Sequence, residues 1–280
     1  CLARRDHILS VMREEGYIDE SERREAAAEA LPAEGHSRLG FAESYLSRVF
    51  SEAEEYIGAN AYGGLKIYTY LDGGLQKTLE ELSAMSETDK SFCVIDNAGH
   101  GVKAFFSTIG NAPRLPASAI KPLAVYAPAL EENLISPATP VLDEKTDFGG
   151  YSPRNFDGEY HGYVSARQAL AKSYNLEKLG LHTERDDLSL ALALGGMKKG
   201  YPLQELTQAY SAFACGGTYA PAAFVRKITD GNGKTVYERQ TKEKRVFGED
   251  TATLLNDMLA GAVTDGTAPA SMSFRRVAVS

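Results

Sequence analysis

The chain has 280 residues, 43% apolar and 24% charged, enough for one large domain or two modest ones with a real core. A net charge of −8 and a pI of about 5.3 argue against a nucleic-acid partner and a polybasic membrane patch. Three widely spaced cysteines and five histidines without ligand spacing argue against a disulfide framework and a metal site.

Residues 4 to 30 read as helices rich in Glu, Arg and Ala, with Gly16 as a break and Asp19 to Glu22 as an N-cap and first turn. Phe41 to Ile57 is a further helix, with Tyr45, Leu46, Val49, Phe50 and Ile57 as its apolar stripe. Leu65 to Tyr70 alternates and is β-branched and aromatic, so it predicts a strand. Asp72-Gly73-Gly74 then turns the chain into a helix from about Leu75 to Met85. Phe92 to Asp96 and Val102 to Ser107 flank Asn97-Ala98-Gly99-His100-Gly101 and predict a hairpin, with Cys93 in its core.

Gly110 to Pro116 is a loop. Ser165 to Ser173, Asp187 to Leu194, Pro202 to Ala214 and Glu249 to Val263 predict helices. Phe224 to Thr229 and Thr235 to Glu238 predict a second hairpin around Asp230-Gly231-Asn232-Gly233, and Val277-Ala278-Val279 a strand. The fold class is α+β, helices around a small antiparallel sheet. No apolar run reaches the roughly 18 residues of a membrane span.

Two short motifs carry chemistry. Ser118-Ala119-Ile120-Lys121 places a hydroxyl and an amine three positions apart, on one helical face. A serine needs a base to become a nucleophile, and a lysine serves only if its pKa is lowered. The N-terminal end of a helix disfavours the ammonium. Pro122 suits a first turn but biases Lys121 away from helical angles, and Pro128 kinks or interrupts the helix beyond it. Ser173-Tyr174-Asn175 adds a second hydroxyl and an amide, which both donates and accepts. Alone, each motif equally marks a solvated serine or a helix end. Asp157, Glu159 and His161 make an acid-base set or, the plainer reading, a polar loop around Gly158 and Gly162.

Together these motifs resemble the class A (bifunctional) penicillin-binding proteins, whose first motif sits in Pro-Gly-Ser-x-x-Lys-Pro. Here it is Pro116-Ala117-Ser118-Ala119-Ile120-Lys121-Pro122. Ser136-Pro137-Ala138-Thr139-Pro140, Asp147 through Asn175, Leu192-Ala193-Leu194-Gly195-Gly196, Tyr210-Ser211-Ala212-Phe213-Ala214 and Val263-Thr264-Asp265-Gly266-Thr267-Ala268 are similar to the family in the same order. So are Gly64 to Thr69 and, as the tail of a glycosyltransferase domain, Arg4 to Ile18.

The resemblance implies a penicillin-binding transpeptidase fold, with residues 1–30 as the glycosyltransferase tail, 31–88 as a linker or pedestal, and 89–280 as the transpeptidase domain. It implies a D,D-transpeptidase with Ser118 as the acylated nucleophile, Lys121 as its base, Ser173 as the proton relay and Asn175 as a contact to the donor peptide. The implied partners are peptidoglycan stem peptides ending in D-Ala-D-Ala and β-lactams, with no cofactor, metal or nucleic acid. The implied location is the outer face of the cytoplasmic membrane, held by an N-terminal helix outside this chain.

Three departures accompany the likeness. Ala117 stands where the family uses Gly, adding a Cβ at a tight approach. The stretch after Asn175 is shorter than the family's. Ser280 falls where Lys-Thr-Gly is expected, so the fold is expected to be incomplete at its C-terminus. The alternatives are a non-catalytic remnant that binds peptidoglycan or partners, and a D,D-carboxypeptidase or β-lactamase-like hydrolase.

Overall fold

The computed structural model describes residues 2–29, 41–57, 64–147, 152, 154–155, 157–174 and 200–267. The chain forms two compact units that divide between Glu43 and Ser44. The first unit holds helices α1 (Leu2–Glu14) and α2 (Glu20–Ala28). Gly16 leaves α1 with a φ of +74°, and Asp19 caps α2 as the sequence predicts. The Asp19 carboxylate accepts the Glu22 N–H while the Glu22 carboxylate accepts the Asp19 N–H, each at 2.8 Å.

The second unit takes in all but the first residue of α3 (Glu43–Ile57), which buries Tyr45, Val49 and Ala53. Phe50, expected in the apolar stripe, is 51% exposed. The face is instead completed by Glu52, whose carboxylate accepts the N–H groups of Phe224 and Val225. Burial raises the pKa of Glu52. Tyr45 donates its hydroxyl to the Val102 carbonyl at 2.7 Å, and its ring meets Phe224 edge-on.

Strand β1 (Lys66–Thr69) leads to α4 (Gly73–Ala84), capped by the Asp72 carboxylate. The predicted first hairpin is β2 (Ser91–Asp96) with β3 (Gly101–Ser107). On β2, burial pushes the free thiol of Cys93 up to about 12. Gln76 of α4 is fully buried against β3: its amide donates to the Phe105 carbonyl at 3.0 Å and accepts the Phe105 N–H at 2.9 Å.

A hairpin not foreseen from the sequence pairs β4 (Pro140–Asp143) with β5 (Gly162–Ser165), running straight into α6 (Ala166–Ala171). Ser165 and Gln168 cap α6 reciprocally. The rest of the described chain is α7 (Leu203–Ala214), β6 (Thr218–Tyr219), β7 (Val225–Thr229), β8 (Thr235–Glu238), β9 (Lys244–Arg245) and α8 (Glu249–Thr264). β7 lies between β1 and β8, antiparallel to both, and β6 pairs with β9. Arg239 ties the hairpins together. Its guanidinium donates to the carbonyls of Gly99, His100 and Pro221 and lies over the Tyr70 ring.

The main core gathers Tyr126, Leu130, Leu170, Phe213, Leu255, Met258 and Leu259, where α6, α7 and α8 meet the segment after Lys121. The class is α+β, as expected. The helix expected over Asp187 to Leu194 and the strand expected at Val277 to Val279 lie outside the described residues. Among the described residues no helix is long and apolar enough to cross a membrane.

Candidate active site

The approach to Ser118 is fixed before the motif begins. Arg114 and Tyr201 exchange backbone hydrogen bonds at 3.0 and 2.9 Å, so the loop before Pro116 lies against the stretch that leads into α7. A Cβ on Gly200 would meet the Arg114 carbonyl oxygen at 2.1 Å, so only glycine permits this approach. Ala117 then takes a φ of +48°, the left-handed region that costs an alanine energy and a glycine almost none.

Ser118 and Lys121 do not begin an α-helix. Ala117–Ile120 is a single 3-10 turn, with the Lys121 N–H closing onto the Ser118 carbonyl. Pro122–Tyr126 follows as a π-turn, and α5 (Ala127–Glu131) comes after it. Two prolines explain the sequence of turns. Pro128 has no N–H for the carbonyl four residues back, and the backbone widens to the next spacing, where the Ala127 N–H reaches the Pro122 carbonyl. Lys121 holds helical angles (φ −54°, ψ −47°) in spite of Pro122. The turn itself is pinned from α7, where the Tyr210 hydroxyl donates to the Ala119 carbonyl at 2.7 Å.

Ser118 is half-buried, and Lys121 is 4% exposed. The Lys121 amine donates to the Ser173 carbonyl at 2.9 Å, to the Ser173 hydroxyl at 3.4 Å and to the Tyr174 carbonyl at 3.3 Å. Burial lowers its pKa from 10.5 to about 8. The expected effect of a long helix's N-terminus is replaced by this desolvation, because only a four-residue turn carries Ser118. The structure thus brings Lys121 and Ser173 together across 52 residues.

Ser173, two residues beyond α6, has a φ of +57°, a second left-handed residue at the site. The Ser173 and Tyr174 N–H groups return to the carbonyls of Leu170 and Ala169. Behind this turn, the Thr267 N–H bonds the Ala171 carbonyl, which brings the end of α8 against the end of α6. Asn175, the fourth expected site residue, lies outside the described residues.

The polar loop holds more order than its composition suggests. Asp143, at the end of β4 and 2% exposed, accepts the Asn155 amide, the His161 N–H at 2.9 Å and an imidazole Nδ1 contact at 3.0 Å. His161 Nε2 lies 3.3 Å from Asp157, and its ring stacks on Tyr174 at 4.5 Å and 14°. Asp143 is absent from the residues that the sequence singles out. Its one signal is the short run Pro140-Val141-Leu142-Asp143, an acid closing an apolar strand. Among the described residues no cluster of His, Cys, Asp or Glu is arranged to hold a metal ion.

Both the sequence and the fold have known relatives. Residues 177–279 match the family of the penicillin-binding protein transpeptidase domain. The chain is 34% identical to penicillin-binding protein 1F of Bacillus subtilis, over 95% of this chain and 43% of that protein. It is 30% identical to penicillin-binding protein 2a of Streptococcus pneumoniae, over 94% of this chain and 43% of that one. It therefore spans less than half the length of these relatives.

Among solved structures, penicillin-binding protein 1A of Haemophilus influenzae aligns with a TM-score of 0.67 at 18% identity, over 96% of this chain and 64% of that one. The PonA1 protein of Mycobacterium tuberculosis in complex with penicillin V aligns at 0.64 and 18%, over 78% of this chain and 69% of that one. At these identities the structures show the fold alone. The sequence matches and this shared fold agree, and the chain belongs to the class A penicillin-binding proteins, whose transpeptidase sequence it carries.

Proposed function

We propose that this chain supplies the acyl-transfer centre of a peptidoglycan D,D-transpeptidase, with Ser118 as nucleophile, Lys121 as base, Ser173 as proton relay and Asn175 as a contact to the donor peptide. The observation that carries the reading is the buried Lys121 amine, its pKa lowered to about 8, one turn from Ser118 and in contact with Ser173. Near neutral pH a fraction of this amine is unprotonated, and that fraction accepts the Ser118 proton.

The Ser118 oxygen then attacks the carbonyl carbon of the penultimate D-Ala. The C–N bond to the terminal D-Ala breaks, and the leaving amine takes the proton back through Lys121 and the Ser173 hydroxyl. An amine of a second stem peptide attacks the Ser118 ester, forms the cross-link and frees the serine. A β-lactam stops at the ester. Penicillin V in the PonA1 structure is consistent with this chemistry.

The reading extends to the whole protein. We infer that residues 1–30 are the tail of a glycosyltransferase domain, 31–88 a linker or pedestal, and 89–280 the transpeptidase domain. The match to the 1F relative covers 95% of this chain and so takes in part of the first thirty residues. The proposed setting is the outer face of the cytoplasmic membrane.

Intact mass after incubation with benzylpenicillin, on wild type and Ser118→Ala together, tests the assignment. A penicilloyl adduct on the wild type alone is expected. An adduct that survives Ser118→Ala overturns the nucleophile, and a folded chain that takes none supports a non-catalytic role. Release of D-Ala from stem peptides without cross-links assigns hydrolysis instead.

A further inference from the structure

We propose that His161 is a positioning residue: its imidazole, oriented by Asp143, clamps the Tyr174 ring and so holds the Ser173 and Tyr174 carbonyls over Lys121. For the reaction itself, this inference rests on the acyl-transfer reading above.

The turn it acts on is under strain. Ser173 sits at a φ of +57°, a conformation that persists only where the surroundings over-determine it. From the inside, the turn is held by the return of its N–H groups to α6 and by Lys121. From the outside, the only ring against Tyr174 among the described residues is that of His161, stacked at 4.5 Å and 14°. Tyr174 is 7% exposed, so the stack is a packed contact.

His161 in turn has little freedom. Its backbone N–H and its Nδ1 both address one oxygen of Asp143, at 2.9 and 3.0 Å. Asp143 is itself locked by the Asn155 amide, which contacts both carboxylate oxygens at 2.9 and 2.8 Å and also donates to the Glu159 carbonyl. A buried carboxylate that orients an imidazole is a familiar unit of catalytic sites. Here the far side of the ring meets Tyr174 and Asp157, not a serine hydroxyl, and so the unit acts through geometry.

The charged groups around the pair come from two elements. Asp143 at the end of β4 and Asp157 in the loop before β5 face the two ring nitrogens, and both act on the Tyr174 phenol, whose pKa is raised chiefly by burial. The site gains a rigid floor from this. With the Tyr174 ring fixed, its carbonyl and that of Ser173 stay within reach of the Lys121 amine and keep water from it.

The test reads Lys121 directly and does not require turnover. The full chain carries ¹³C at lysine Cε, and the Lys121 resonance is titrated in wild type, His161→Ala, His161→Phe and Tyr174→Leu. Acylation by benzylpenicillin is measured on the same proteins, with the rate constant separated from affinity. The wild-type titration is centred near 8. His161→Ala moves it up by about one unit as water reaches the amine. The same change lowers the acylation rate constant on the order of tenfold at unchanged affinity.

His161→Phe keeps a ring against Tyr174 and retains most of both values. Tyr174→Leu behaves as His161→Ala does, and the double variant is no worse than either single one. A Lys121 titration and an acylation constant that both ignore His161→Ala overturn the inference while leaving the reaction in place. If the wild type forms no Ser118-dependent adduct, the acyl-transfer reading falls, and the Lys121 titration alone decides the role of His161.

Discussion

The Lys121 amine donates to the main-chain carbonyl of Ser173 at 2.9 Å, and the same amine reaches the Ser173 hydroxyl at 3.4 Å. One nitrogen therefore senses both the backbone of the second motif and its side chain. The contact buries the lysine, and the burial sets its proton affinity.

That proton affinity gives a pH dependence with a definite sign. If Lys121 is the base proposed above, acylation needs the neutral amine, so its rate rises with pH and levels off above about 8. Lys121→Arg stays charged at every accessible pH, removes the rising limb and lowers acylation by about 10²–10⁴. Stability follows the same group. Between about 8 and 10.5 the unfolded chain still holds a proton that the folded chain has released, so folding becomes more favourable as pH rises through that window. Denaturant unfolding across this range shows the gain as the difference between wild type and Lys121→Met, because the raised Cys93 thiol pulls the stability of both the other way above about pH 9.

Ala117 sits at a φ of +48° immediately before the serine. Ala117→Gly relieves the left-handed strain and stabilises the fold by about 1 kcal/mol. The opposite sign is normal for a glycine introduced at random, where unfolded-state entropy dominates. Urea unfolding at neutral pH checks it, and a loss of stability excludes the strain.

Gly266 fails for a different reason when it is substituted. A Cβ there would stand 2.2 Å from the Ala171 carbonyl oxygen and 2.6 Å from Ala262 backbone atoms. Gly266→Ala pushes the end of α8 off the end of α6 and costs about 1–3 kcal/mol. A cost below about half a kcal/mol, measured by denaturant unfolding, rules out the close approach.

Gln76 completes strand β3 with a side chain in place of a neighbouring strand. Gln76→Leu strands the Phe105 N–H and carbonyl without partners and costs about 2–4 kcal/mol, although it adds apolar volume. Thermal unfolding of the variant, compared with Gln76→Asn, separates the lost bonds from a change in packing.

Local signals in the sequence place most of these elements. Asp72 before two glycines sets the start of α4, and alternation with a glycine-rich turn sets the β2–β3 hairpin. The β4–β5 pair escapes, because four residues of strand find their partner some twenty residues on and neither alone has a period to read. The orientation of α3 escapes too. Phe50 faces outward because Glu52 must reach the backbone of Phe224 and Val225, a demand that hydropathy does not register. At the site, the spacing of Ser118 and Lys121 is legible, and so is the Ser173 motif. Their meeting across 52 residues is a tertiary event, and Asp143 belongs to the strand that the sequence conceals.

The bond from the Thr267 N–H to the Ala171 carbonyl gives the site a place in time. A chain leaves the ribosome from its N-terminus, and domains fold as they emerge. Ser118, Lys121 and Ser173 are all translated well before α8, yet the turn that bears Ser173 rests on residues that come after α8. A nascent chain halted short of Thr267 displays the whole motif set without its rear support. On the acyl-transfer reading, competence to react with penicillin then waits on the stretch through Thr267, and products that stop before it carry the signature without the site.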